Sequence, residues 1–178
     1  MEVVVAPSAG FCWGIERALE TVDAALCHAA GRPVVTLGPI IHNPGVIAAL
    51  TVRGVTPVDP DAVPEAGAVA VVRAHGLPEA RRAALASQGV ALFDATCPFV
   101  ARVEREVAEA GAAGRFALLV GDANHAEFRA AITYARGPVG VVATADDVST
   151  LPDVKTGVTV IAQTTLDRAT FDAVVAAA

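Results

Sequence analysis

Residues 90–120 read VALFDATCPFVARVEREVAEAGAAGRFALLV. A short apolar run, Val90–Phe93, leads through the small polar loop Asp94-Ala-Thr96-Cys97 into a helix-period stretch, Pro98–Ala113, and then into a second apolar run, Phe116–Val120. Proline at 98 stands where the first helical residue belongs, because the amide hydrogen it lacks would have no partner there and its φ is already helical. Strand, loop, helix, strand is the signature of a parallel sheet, whose neighbouring strands need a crossover that is commonly a helix.

The same figure repeats on both sides. Further strands are expected at Glu2–Ala6, Pro33–Leu37, Ala68–Val72, Val139–Val142 and Val158–Ala162. Further helices are expected at Gly14–His28, Pro44–Leu50, Pro78–Ser87, Ala126–Tyr134 and from Leu166 to the end. Asn43-Pro44 marks another helix start, and Thr144-Ala-Asp-Asp147 has the form of a weakened capping box. Pro57-Val-Asp-Pro60-Asp-Ala-Val-Pro64 reads as a surface loop. The expected fold class is α/β, two similar lobes of mainly parallel sheet flanked by helices, spanning 1–97 and 98–178.

Composition narrows the function. The 178 residues suffice for one good-sized domain or two small ones, with 54% hydrophobic residues but only 4% aromatic, so Val, Ala and Leu carry the packing. A net charge of −6 and the lack of any Lys/Arg cluster argue against a nucleic-acid partner. Mean hydropathy is positive, at +0.53, yet no apolar stretch approaches the ~18–20 residues of a membrane span. Met1-Glu2 runs directly into a strand-like segment without a basic signal-type start, which points to the cytoplasm. Three cysteines, Cys12, Cys27 and Cys97, are too few and too scattered for a disulfide scaffold.

In open parallel α/β sheets, ligands lie outside the carboxyl ends of the strands. Those positions hold Cys12, His42, His75, Cys97, His125 with Glu127, and Thr164 with Thr165. Each has a plain reading beside the functional one. Cys12 and Cys97 are small residues that pack well, but both precede helices, whose dipole favours the thiolate that metals bind. His42 is as suited to capping or packing as to a ligand. His75 precedes Gly76, which admits close approach and favours function. Glu127 can serve the dipole of its own helix, while a His/Glu pair in a cleft suits proton delivery, burial moving both groups toward neutrality. Thr164 and Thr165 can be helix caps.

Cys27 differs. On Gly14–His28 the apolar stripe is Ile15, Ala18, Leu19, Val22, Leu26 and Ala29, and Cys27 falls with Glu16, Glu20 and Asp23 on the polar side. It lies about 20 Å along the helix from the end near Cys12, so it is read as a surface thiol.

Six motifs carry a resemblance. Gly10-Phe-Cys12-Trp-Gly14-Ile-Glu-Arg-Ala18, Ile41-His42-Asn43-Pro44, Ala74-His75-Gly76, Asp94-Ala-Thr96-Cys97-Pro98, Asn124-His125-Ala-Glu127 and Gln163-Thr164-Thr165-Leu166 follow one another along essentially the whole chain. In that order they resemble the LytB family, the 4-hydroxy-3-methylbut-2-enyl diphosphate reductases that perform the last step of the methylerythritol phosphate route to isoprenoids. The resemblance implies a three-lobed α/β fold around an oxygen-sensitive [4Fe-4S] cluster held by three cysteines. It makes Cys12 and Cys97 cluster ligands, His42 and His75 diphosphate contacts, and His125 a contact beside them. It makes Glu127 the proton donor that lets the substrate hydroxyl leave as water, with Thr164 hydrogen-bonded in that relay. The implied partners are an allylic diphosphate substrate and an electron-donor protein such as ferredoxin or flavodoxin.

The family pattern also places a third cysteine and a Ser/Asn-rich diphosphate clamp in a third lobe, beyond the point where this chain stops. Phe171, Val174 and Val175 are still in helical register at Ala178, with no glycine cap. Asp122 stands where bacterial members often carry histidine. Three readings follow: a reductase completed by a missing lobe, a second chain or a homo-oligomer; a binding relative that keeps a diphosphate-sized pocket without a cluster; and a thiol enzyme with Cys97 as nucleophile and His75 or His125 as base.

Overall fold

The protein is described by a computed structural model over residues 2–155 and 157–178. In chain order it forms α1 (Trp13–Ala29), β1 (Val34–Leu37), α2 (Pro44–Val52), β2 (Val55–Val58), β3 (Val69–Val72), α3 (Glu79–Ser87), β4 (Ala91–Asp94), α4 (Pro98–Ala112) and β5 (Phe116–Val120). There follow α5 (Ala126–Ala131), a 3-10 turn at Ile132–Tyr134, β6 (Val139–Val142), a second 3-10 turn at Asp146–Thr150, β7 (Val158–Ala162) and α6 (Arg168–Ala177). The strands form two sheets, of order β2-β1-β3-β4 and β6-β5-β7, and every pairing is parallel. The chain divides into two compact units, Met1–Ala74 with Ala91–Ala95, and His75–Val90 with Thr96–Ala178.

In the first unit the central strands β1 and β3 are buried on both faces, as their continuous runs Val-Val-Thr-Leu and Val-Ala-Val-Val require. Ala18, Val22 and Ala25 of α1 pack at zero exposure on Val34, Val69 and Val71. Asn43 accepts a hydrogen bond from the Val46 backbone N–H (3.2 Å), so the expected Asn-Pro start of α2 is a true side-chain cap.

In the second unit β5 is the spine. Ala117 and Leu119 face Val103 and Val107 of α4 together with Phe128 and Ala131 of α5. Phe116, Leu118 and Val120 face the other way, onto Val142 and Val174. The alternation is that of a central strand covered on both sides. The expected capping box is realised in half: the Asp147 carboxylate accepts from the Thr144 backbone N–H (2.8 Å) and hydroxyl (2.9 Å).

Three expectations are corrected. Residues 2–6 carry no strand, and Val3, Val4 and Val5 are exposed. A β-branched run has strand propensity, but a strand exists only with a neighbour to pair with, and none is present among the described residues. Conversely, the Pro57 segment read as loop begins inside β2, where Pro57 pairs in register with Thr36. β2 is an edge strand, the place in a sheet where a missing N–H is tolerated. The expected helix Ala126–Tyr134 tightens after Ala131 into a 3-10 turn. No helix among the described residues is long and apolar enough to cross a membrane.

Candidate functional site

The candidate residues divide between the units. Cys12 and His42 belong to the first, and His75, Cys97, His125, Glu127 and Thr164 to the second.

In the first unit Cys12 occupies the N-cap of α1 in extended backbone, and its carbonyl accepts from the Ile15 and Glu16 N–H groups at 2.9 and 3.1 Å. Its side chain makes no capping bond and is exposed, which leaves the thiol available. His42 is exposed in the loop between β1 and α2. Cys27 is also exposed, 15 residues along the chain from Cys12, so about 22 Å of helix axis separates the two.

In the second unit four of the five candidates form a connected group. His125 is the N-cap of α5, and its Nδ1 accepts from the Glu127 N–H at 3.3 Å. That bond makes Nδ1 an acceptor, so in neutral imidazole the proton sits on Nε2, which is left to donate elsewhere. The His75 ring meets His125 edge-on, with centroids 5.6 Å apart and planes at 71°. Glu127 is buried, only 1% exposed. Its Oε1 accepts from the Thr164 backbone N–H (3.0 Å), and its Oε2 lies 2.7 Å from the Thr164 hydroxyl. Thr164 itself is exposed. A buried carboxyl therefore meets solvent through one hydroxyl, an arrangement that can pass a proton outward.

A further buried acid, Glu104, belongs to this neighbourhood. It sits on α4 at 9% exposure, in the stripe Val100, Val103, Glu104 and Val107 that faces the core. Gly76 has φ +81°, and a Cβ built there would lie 2.3 Å from Glu104 Oε1. The glycine thus makes room for a carboxylate of the protein itself. A glutamate at a core position of a helical repeat was the signal in the sequence that would have found it.

Cys97 caps α4 with Pro98 at the first helical position and makes no capping bond with its side chain, which is partly exposed. Of the three free thiols, the position of Cys27 excludes it from any site that uses Cys12. Two cysteines therefore remain as candidate cluster ligands, whereas a four-iron cluster is ordinarily held by four thiolates. No group of three or more His, Cys, Asp or Glu placed to hold a metal ion occurs among the described residues. The donors of this chain alone do not fit a complete cluster.

Comparison with known proteins agrees with the fold. The family model described as LytB protein matches residues 3–178. The 4-hydroxy-3-methylbut-2-enyl diphosphate reductase of Anaeromyxobacter sp. (strain Fw109-5) is 42% identical over 177 residues, covering 99% of this chain and 62% of that protein. The Aquifex aeolicus reductase is 36% identical over 179 residues, covering 98% of this chain and 61% of its own length. A solved (E)-4-hydroxy-3-methyl-but-2-enyl diphosphate reductase superposes with a TM-score of 0.87 at 36% identity, over 98% of this chain and 62% of that one. The Plasmodium falciparum reductase superposes at 0.85 and 27% identity, over 96% and 54% respectively. The chain thus spans somewhat less than two thirds of the length of these relatives.

Proposed function

The chain belongs to the LytB protein family, and from that premise we propose that it supplies the substrate-binding and proton-delivering part of a 4-hydroxy-3-methylbut-2-enyl diphosphate reductase. It would act with a completing polypeptide, a second chain or another copy of itself. The observation that carries this reading is the buried Glu127 carboxyl joined to the exposed Thr164 hydroxyl at 2.7 Å, with His125 on the Glu127 backbone N–H and His75 against the His125 ring.

The reaction is a reductive dehydroxylation. The allylic C–O bond breaks, two electrons and two protons are taken up, the hydroxyl leaves as water, and the products are isopentenyl and dimethylallyl diphosphate. Glu127 supplies the proton for the departing oxygen, and Thr164 orients that carboxyl and relays the proton. His75 and His125 hold the diphosphate through ring N–H groups, and His42 is assigned the same kind of contact. Cys12 and Cys97 are the two ligands this chain offers toward a [4Fe-4S] cluster, the remaining ligand coming from the completing polypeptide. Electrons come from a ferredoxin- or flavodoxin-type donor, and a reducing cytoplasm suits the free thiols.

A second reading, a diphosphate-binding relative without a cluster, is favoured by the cysteine count alone. Anaerobic reconstitution separates the two. The chain is purified with the polypeptide encoded beside it, supplied with the substrate and a reduced donor, and assayed for both products and for iron and sulfide. Turnover with iron bound supports the reductase. Colourless, inactive protein that still binds inorganic pyrophosphate supports the second reading, and failure of both discards the site.

A further inference from the structure

His75 lies in a stretch, residues 73–78, that belongs to no helix or strand. Something must nevertheless fix it, because its ring stands at a defined edge-on angle to His125. The residues that follow it are tied by hydrogen bonds to the end of α5. The Leu77 carbonyl accepts from the Tyr134 hydroxyl at 2.8 Å. The Glu79 backbone N–H donates to Thr133 Oγ1 at 2.9 Å, and that hydroxyl donates in turn to the Ala130 carbonyl at 2.7 Å. The Glu79 carboxylate is gripped by both terminal nitrogens of Arg136, one at 2.8 Å. Arg82 Nε donates to the Tyr134 hydroxyl at 3.3 Å.

The N-cap of α3 is Pro78, which provides no capping side chain. The first N–H of that helix, which has no partner within its own helix, is therefore satisfied by Thr133. Thr133 and Tyr134 close the 3-10 turn that continues α5, and His125 opens α5 at its other end. Ala130 of the same helix would lie 3.6 Å from a Cβ at Gly76. One short helical element thus carries one histidine at its start and grips the backbone beside the other histidine at its finish.

We propose that Thr133 and Tyr134 are positioning residues that set the spacing of His75 and His125, and with it the fit of the pair to a phosphorylated ligand. The inference rests on reading these histidines as an anion site. A purely structural role, capping α3 and nothing more, would leave the histidine pair undisturbed.

The test uses the 178-residue chain, with Thr133→Val, Tyr134→Phe and the double variant, and Thr133→Ser as the conservative replacement. Two quantities are read: the ring-to-ring nuclear Overhauser effect between His75 and His125, and the Kd for inorganic pyrophosphate by calorimetry. The double variant should still unfold cooperatively, lose the ring contact and bind pyrophosphate about tenfold more weakly, roughly threefold per hydroxyl removed. Thr133→Ser should stay within about twofold of the parent, since it keeps both bonds of the hydroxyl. An unchanged ring contact and Kd in the folded double variant overturns the proposal. If the parent binds no pyrophosphate, the anion-site reading fails on its own, and the ring contact alone decides: retained in the double variant, it overturns the clamp; lost, it upholds it. Should the double variant not fold, Tyr134→Phe, which keeps the ring and its packing, gives the same decision with about a threefold effect.

Discussion

Oε2 of Glu127 lies 2.7 Å from the hydroxyl of Thr164, and the carboxyl is buried while the threonine is exposed. The hydroxyl donates to the carboxylate across the boundary between core and solvent. Glutamine at 127 has the acid's shape: its carbonyl can keep the bond from the Thr164 N–H, and its amide can donate to the hydroxyl. Glu127→Gln should therefore unfold within about 1 kcal/mol of the parent. In the completed enzyme, turnover should nonetheless fall by a factor of about 10²–10⁴, because glutamine has no proton to give. Thermal unfolding and a product assay check the two halves separately, and normal turnover would remove Glu127 from the mechanism.

Thr164→Val breaks the same pair from the other side. Valine keeps the volume and the backbone N–H bond to Oε1 but leaves Oε2 buried without its partner. That should cost about 1–3 kcal/mol, measured by denaturant unfolding, and Thr164→Ser should restore most of it. Equal stability of the valine and serine variants would mean that the hydroxyl carries no weight.

Gly76→Ala meets two obstacles at once. The φ of +81° is left-handed, and the new Cβ would fall 2.3 Å from Glu104 Oε1. The strain alone should cost on the order of 1–2 kcal/mol and the collision more. Because the collision needs both groups, a double-mutant cycle with Glu104→Ala should show partial rescue, the backbone strain remaining. Strict additivity of the two substitutions would show that the carboxylate is not against the glycine in solution.

Much of this arrangement was legible in the sequence, and its gaps have physical causes. The strand-end survey named His125, Glu127 and Thr164 because they follow β5 and β7, whose parallel pairing sends both loops to one edge of the same sheet, whereas His75 follows β3 of the other sheet. Phe116–Val120 was readable to the residue because a buried central strand must be apolar throughout. Val3–Val5 misled because strand propensity says nothing about the presence of a partner. The Thr133–Tyr134 clamp could not be read, because it joins residues 54 and 57 positions apart through hydrogen bonds that leave no periodic trace. Glu104 was readable and was missed: the core stripe of α4 passes through it.

The grip of Arg136 on Glu79 carries a pH signature. The Arg136 hydrogen bond holds the Glu79 carboxyl below its ordinary value, against an opposing desolvation that outweighs the attraction of the Arg136 charge. A folded value below the unfolded one means that the pair favours the folded form above the usual glutamate range. That contribution is lost as pH falls through the depressed folded value. A carboxyl-carbon titration of Glu79 should therefore show a midpoint below 4.5, moving up toward it in Arg136→Met. Both groups are surface-exposed, so about 1 M salt should erase most of the difference. A parent midpoint already at the ordinary value would show that the pair does not persist in solution.

The cysteines give the last prediction, and it turns on ligand number. Cys12 and Cys97 each cap a helix with a thiol that makes no capping bond, whereas Cys27 lies about 22 Å down α1 from Cys12. Two thiolates fall short of the ligand set of a four-iron cluster, and by one of the three cysteines that the family resemblance implies. The chain alone, reconstituted anaerobically with iron and sulfide, should retain no stable cluster after desalting. Supplied with a completing polypeptide that brings another cysteine, it should turn brown and hold iron in a fixed ratio. In that complex Cys12→Ser or Cys97→Ser should lose the iron, because a serine hydroxyl is a poor replacement for thiolate on iron. Cys27→Ser should change nothing. The comparison with Glu127→Gln then separates two kinds of failure, a protein that stays brown and inactive and one that turns colourless. A stable cluster on the isolated chain, or one that depends on Cys27, would overturn both the ligand assignment and the need for a partner.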